Sequence, residues 1–506
     1  MQQLLQQLGQ LIDCPYRFLT TFYPGRIVGA CLLSLASIEL AAGQSSQELE
    51  LQQALQLSTD TALQLARHEA ALAQIRDDFG PYDPRMIEPL NDMADLLIAN
   101  EDYERALQLL DQQQQLLKIN YGLYNHQQIA IIEKQLTTHF KQQKWAAVDS
   151  DLSYLNWLYT RDSVLDVPAR LEGLYKLRDW RLLTLNHDNR RREAEHLLSI
   201  RKLSQSALDM AEQFYDEQDP ALLKYIYGAA QAELNIALAI ILTSDISPDL
   251  ITITEGIRAN TLSTYQIRSI SDVERVYGPR ATSVINRSFK ANMNRHANYL
   301  ERIREFYQQN GNQEAEAMAV LLLGDARLME NQYEYQPMRL TSNNRGMSNI
   351  GFASNLYREA IALLEESGVS NEAIEQYFSC PVLLPASEFE PDFTASSARC
   401  QRNNNEEFLD LGMMHLMVDS VPGRVDADTT GFARESFSDL VISTVTFSVM
   451  ANGQANRIEV INASPDSARN RSLAKSTLER LQFRPALENG RAVRSENIRL
   501  QLALPD

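Results

Sequence analysis

At 506 residues with 44% hydrophobic content, the chain is long enough to bury more than one core, which excludes a disordered protein and predicts about two to four domains. A formal net charge of −19 excludes nucleic acid or an anionic lipid surface as the main partner, because phosphate groups demand a basic protein surface. From Val441 onward nine Arg or Lys stand against six Asp or Glu, so the last 66 residues carry +3 and the remainder −22; an anionic partner for the tail, docking of the tail on the acidic body, and a local fluctuation of composition all remain open.

Near the N-terminus, Arg26 precedes an apolar run from Ile27 to Ala42 that ends in the small residues Ala41-Ala42-Gly43. This is the pattern of a secretory signal peptide, with cleavage near Ala42 or Gly43. Residues 1–43 are therefore read as a leader with a long lead-in, and the mature chain as exported. A retained membrane anchor is the alternative, weakened by the shortness of the run and by Glu39. Cys14 and Cys31 leave with the leader, so Cys380 and Cys400 remain as an even pair in an oxidising compartment. A disulfide between them would close a loop of about twenty residues and contribute about 3 kcal/mol, pinning a linker at 376–406; two free thiols are the alternative.

From 44 to 375 the sequence is mainly α. Leu, Ala, Gln and Glu dominate, and apolar residues recur at helical spacing, as at Leu51 and Leu55 or Ala62, Ala66, Ala70 and Ala73. Internal repetition sets the architecture. Phe79-Gly80-Pro81-Tyr82-Asp83 and Tyr121-Gly122-Leu123-Tyr124-Asn125 match in kind at a separation of 42 residues. The first unit predicts a helix over Met86 to Ala99, a turn at Asn100-Glu101-Asp102 and a helix over Tyr103 to Ile119, and the same offsets place Trp145 where Tyr103 stands. A third hairpin is predicted around Leu323-Gly324-Asp325-Ala326 and Tyr357-Arg358-Glu359-Ala360, with Gly324 and Ala360 as its packing pair and an inserted loop, Asn331 to Asn349, between its helices. Between these units, helices are expected at Ala169 to Asn186, Arg192 to Glu217 and Ala221 to Leu242.

Through Ala94 in the first helix and Tyr103-Glu104-Arg105-Ala106 opening the second, the sequence resembles tetratricopeptide repeats of the kinesin-light-chain type. In the second unit those alanines become Leu136 and Val148, so that repeat is degenerate. The resemblance implies a solenoid of stacked helical hairpins whose concave face binds protein or peptide.

The pattern changes in the last hundred residues, 407–506. A strand is possible at Met413 to Val421. Val441 to Val449 alternates apolar and polar positions, Asn452-Gly453 supplies a tight hairpin turn, and the return strand runs from about Ala455 to Ile461. A helix follows over Asn470 to Leu481, then a last strand in which Ile498, Leu500, Leu502 and Leu504 alternate with Asn497, Arg499, Gln501 and Ala503. This ββαβ order, with Phe483-Arg484-Pro485 and the Gly490 turn, resembles the C-terminal domain of the TonB family, a small α+β fold. The resemblance implies a periplasmic location and recognition by strand addition, in which a peptide of a TonB-dependent outer-membrane transporter pairs with a sheet edge; Ile498 to Leu504 is the expected edge. No Pro-rich spanning linker accompanies it, so energy transduction is not expected.

Catalytic signatures are absent. The seven histidines lack paired zinc spacing, no phosphate-cradling loop with Lys exists, and Gly346 to Gly351 departs from a nucleophile elbow by one residue. Arg190-Arg191-Arg192 beside Glu193 reads as a solvated helix start. The expected function is non-catalytic, without cofactor or metal: an envelope scaffold that binds proteins through its helical array and its tail domain. An accessory or atypical energy transducer for TonB-dependent outer-membrane transport, or an unrecognised enzyme, are the alternatives.

Overall fold

The computed structural model describes residues 61–161, 165–188, 192–242, 250–251, 281–332, 351–385, 389, 391–393, 409–415 and 440–505. The predicted leader, Cys400, most of the inserted loop and the stretch 416–439 lie outside the described residues. The chain divides into two compact units, Met1–Leu116 and Leu117–Asp506.

The first unit opens with a helix over 61–79 (α1) and a single 3-10 turn at Pro84–Met86, which leads into α2, Ile87–Ala99. The carboxylate of Asp83 accepts from the Arg85 backbone N–H at 2.9 Å and so starts the turn. Helix α3, Tyr103–Tyr121, follows a break at Glu101, whose left-handed φ of 61° lets the Asp102 N–H reach back to the Leu97 carbonyl at 2.9 Å. Leu72, Met86, Leu90, Met93 and Leu116 form the core, and Gln113 donates to the Ile87 carbonyl at 3.1 Å.

The second unit carries α4 Gln128–Lys141, α5 Trp145–Tyr159, α6 Val167–His187, α7 Glu193–Phe214, α8 Ala221–Leu242, α9 Ala281–Gln309, α10 Gln313–Gln332, α11 Gly351–Glu366 and α12 Asn371–Phe378. Each helix from α4 to α11 packs on the next in the chain, the local order expected of stacked hairpins. The 42-residue period is present in the backbone itself. Left-handed Gln143, φ 56°, stands 42 residues after Glu101, Gly122 stands 42 after Gly80, and α5 begins at Trp145 as α3 begins at Tyr103. Ala94 and Leu136 are both fully buried, as are Ala106 and Val148, so the degenerate second unit keeps the packing positions with larger side chains.

Glycines mark three close helix contacts. A Cβ on Gly173, Gly228 or Gly324 would lie 2.2, 2.1 or 2.5 Å from Tyr159, Tyr175 or Tyr357 respectively. Gly324 therefore houses the Tyr357 ring, one turn before its predicted partner Ala360, which is itself buried. Helix α8 is apolar on nearly every face, which suits its place between α7 and α9.

Helix α9 buries His296 against α8, where it donates to the Ala230 carbonyl at 2.8 Å. Burial pushes its pKa down from 6.5 to about 4, against the opposing effect of that hydrogen bond. A histidine neutral in the fold but free to take a proton when unfolded contributes stability that is complete above pH 6.5 and is lost as pH falls from 6.5 toward 4. A loss of about 3 kcal/mol across that window is expected. Urea titrations at several pH values check it: His296→Leu should flatten the profile, and an unchanged slope refutes the assignment.

The strands are β1 Val382–Leu384, β2 Leu409–His415, β3 Leu440–Val449 and β4 Ala455–Ser464, then, after α13 Ala468–Arg480, β5 Gln482–Arg484, β6 Ala486–Glu488, β7 Arg491–Val493 and β8 Ser495–Pro505. The predicted strand-strand-helix-strand elements are present as β3, β4, α13 and β8, with three short strands unpredicted between the helix and β8 and β2 added to the sheet; Ser467 caps α13 by accepting from the Asn470 N–H. Ala474 and Leu478 of α13 cover Val441, Val445, Phe447, Ile498, Leu500 and Leu502. The main sheet runs β2-β8-β3-β4. This corrects the expected edge: β8 is interior, paired antiparallel to β3 and parallel to β2, so its backbone groups are taken on both sides.

Within the predicted linker 376–406, the described residues 376–385, 389 and 391–393 pack into the body. β1 pairs antiparallel with β5, Leu383 opposite Phe483. Phe393 is fully buried, its N–H donating to Glu314 at 2.6 Å, and Phe389 lies against Tyr227 and Tyr307. Cys380 is disulfide-bonded; its predicted partner lies outside the described residues. The expected boundaries at 375 and 407 thus fall inside one compact unit.

Candidate protein-interaction site

The motif residues Phe483, Arg484, Pro485 and Gly490 are all buried at one junction between the tail sheet and the helices. The Phe483 ring lies 5.3 Å from that of Phe447, and its N–H donates to the Gly453 carbonyl at 2.8 Å, tying β5 to the β3–β4 turn. Arg484 makes a bidentate pair with Asp325 of α10, Nε to Oδ1 at 2.8 Å and Nη2 to Oδ2 at 2.5 Å, and donates to the Tyr377 hydroxyl at 3.2 Å. The Tyr357 hydroxyl donates to the same carboxylate at 2.9 Å. Burial works against the Arg484 charge, yet the neighbouring Asp325 outweighs it and holds the guanidinium well above its ordinary range. Leu487 of β6 joins the helical core, and the Gly490 turn lies on Arg358 of α11. Of the three readings of the basic tail, docking on the acidic body is the one this contact supports.

The predicted edge residues are not a free backbone. Ile498, Leu500 and Leu502 point into the core, while Arg499 and Gln501 are half-buried on the opposite face. Leu504 stands opposite Val441 of β3. The outer strands of the sheet are β2 and β4, and the β4 edge is guarded. Its register to β3 slips twice, Arg457 is left-handed at φ 53°, and Arg471 of α13 donates to the Val460 carbonyl at 3.0 Å. Bulges and side-chain plugs of this kind keep an edge from pairing.

Arg192 is likewise not a solvated helix start. It and Arg181 converge on Asp149 of α5, and Arg192 also donates to Asp188 at 2.9 Å. Burial pushes the Asp149 carboxyl up, but the hydrogen bonds from Arg192 and Arg181 prevail and hold it below its usual value.

Among the described residues, a cluster of exposed apolar side chains lies where α3 ends and α4 begins. Ile119, Tyr121, Leu123 and Tyr124 are 57, 53, 57 and 52% exposed, four large hydrophobic side chains within six positions. Their turn is built rigidly. Gly122 takes φ 86°, Asn125 accepts from the Gln127 N–H at 2.8 Å, and the fully buried Gln128 donates to the Leu123 carbonyl at 3.0 Å. The Gln128 side-chain oxygen in turn accepts from the Tyr154 hydroxyl at 2.9 Å. Tyr124 stacks on Trp157 with centroids 5.3 Å apart, and Trp157 on Tyr154 at 5.6 Å. Two cations frame the stack: Arg161 sits 4.7 Å over Trp157 and 5.3 Å over Tyr124, and Lys118 sits 5.2 Å over Tyr154.

Sequence reasoning used Tyr121 to Asn125 only as a marker of the repeat. The missed signal was local: an interhelical turn crowded with large apolar residues, where turn chemistry asks only for the Gly and the Asn.

Among the described residues no group of three or more His, Cys, Asp or Glu is placed to hold a metal ion, and no helix is long and apolar enough to cross a membrane. No protein-family model matches the chain, and a search of curated proteins finds no match.

Proposed function

We propose that the chain is a non-catalytic, exported protein-binding scaffold of the cell envelope, and that its binding surface is the ledge formed by Ile119, Tyr121, Leu123 and Tyr124. The carrying observation is that this ledge is both exposed and pre-ordered. A contiguous apolar surface costs solubility and is usually retained for a partner, and aromatic side chains on a rigid base lose little entropy on binding. The helical hairpins supply the rigid base, and the tail sheet, locked to α10 through Asp325 and Arg484, closes the same unit.

A photo-crosslinking amino acid placed at Leu123 in the native envelope tests the reading. A discrete protein adduct is expected, and the pair Ile119→Ser with Tyr124→Ser should remove it at a cost in stability of no more than about 2 kcal/mol, because both side chains are about half exposed and only Tyr124 gives up a ring contact. Absence of any adduct at Leu123 would sink the assignment of this surface.

A further inference from the structure

We infer that the ledge takes acidic segments of a partner protein, with carboxylates seated on Arg161 and apolar side chains on Leu123, Tyr121 and Ile119. This rests on the proposed function and adds the chemistry of the partner. Arg161 carries the argument. Many arginines along the helices of this unit are matched with carboxylates, among them Arg181 with Asp149, Arg201 and Arg295 with Glu233, Arg302 with Glu212, and Arg304 with Glu359. The guanidinium of Arg161 has no carboxylate and no hydrogen-bond partner among the described residues; it rests over the Trp157 and Tyr124 rings. Stacking uses the face of a guanidinium and leaves its in-plane N–H groups free to fork onto a carboxylate, so the rings hold the group ready without consuming its donors.

The surroundings point the same way. Asp and Glu make up 66 of the 506 residues, about one in eight, yet 112–132 contains none and does contain Lys118. This stretch spans the whole ledge, so the ledge's own segment offers no carboxylate to repel an acidic partner. The net charge of −19 repels an acidic segment from the chain at large, whereas Arg161 and Lys118 favour it here, which gives the site selectivity through charge. An anionic membrane is a poorer fit, because a body of net charge −19 is repelled from it as a whole.

The test is a photo-crosslinker at Tyr121, which is exposed and outside the ring stack, in the full-length protein in its native envelope, with the adduct peptide sequenced by mass spectrometry. The expected adduct is a segment of another protein in which Asp and Glu outnumber Lys and Arg. Arg161→Glu should cut its yield at least about tenfold, Arg161→Lys should cut it less, and rising salt should weaken it. Melting curves of both variants should match the parent, since Arg161 is exposed. A neutral or basic adduct, a second copy of this chain, a lipid adduct, or a yield untouched by Arg161→Glu overturns the inference while leaving the surface assignment standing. No adduct at all removes both.

Discussion

Arg484→Met is expected to destabilise the second unit by about 3–5 kcal/mol, because it leaves the Asp325 carboxylate buried beneath the tail sheet without its cation. Both side chains are about 3% exposed, so water cannot replace the lost partner, and Tyr357 offers that carboxylate a single hydrogen bond. The double variant Arg484→Met with Asp325→Leu removes both charges and should regain most of the deficit, since a buried ion pair is often no better than a well-packed apolar one. Thermal melts of the parent, the two single variants and the double variant give the coupling. A double variant as unstable as Arg484→Met would show that the junction is held by shape, not charge.

Gly453→Val should cost about 3–4 kcal/mol, more than a substitution at Gly490. The residue adopts φ 79°, which costs an L side chain about 1–2 kcal/mol, and a Cβ would stand 2.0 Å from the Phe483 carbonyl oxygen. That oxygen belongs to β5, which is fixed by β1 on one side and by the Phe483 N–H to Gly453 hydrogen bond on the other, so it cannot retreat without breaking both. Gly490→Ala is the control. Its φ of 71° is similar, but its Cβ meets the flexible Arg358 side chain, so about 1–2 kcal/mol is expected. Equal effects at the two positions, read by thermal unfolding, would refute the backbone clash as the cause.

The two junction residues were both legible in the sequence as members of motifs, Asp325 within Leu323-Gly324-Asp325-Ala326 and Arg484 within Phe483-Arg484-Pro485. Nothing in either motif says that they meet, 159 residues apart in the chain. A motif records which residue types a local conformation needs, whereas an ion pair between distant segments depends on where packing carries each of them. The same limit explains the misplaced strand edge. Alternation along Ile498 to Leu504 specifies which side chains face the core, and Ile498, Leu500 and Leu502 do face it. Alternation is blind to which backbone neighbours a strand acquires, and β2, from Leu409 to His415, occupies the side expected to be open.

Local physics sufficed for much of the rest. The turn at Asn100-Glu101-Asp102 placed the helix start at Tyr103, the 42-residue period placed the one at Trp145, and Asn452-Gly453 located the hairpin. These follow from backbone sterics and side-chain periodicity over a few residues, which the order of amino acids determines by itself. Only the tertiary structure decided that Val382–Leu384, Phe389 and Phe393 pack as part of the body, that Arg192 is bound to Asp149, and that Tyr124, Trp157 and Tyr154 stack with Arg161 above them. Each of those depends on elements from separate parts of the chain meeting at ångström distances, and that is set by how the helices and sheet pack together, not by what any one segment prefers alone.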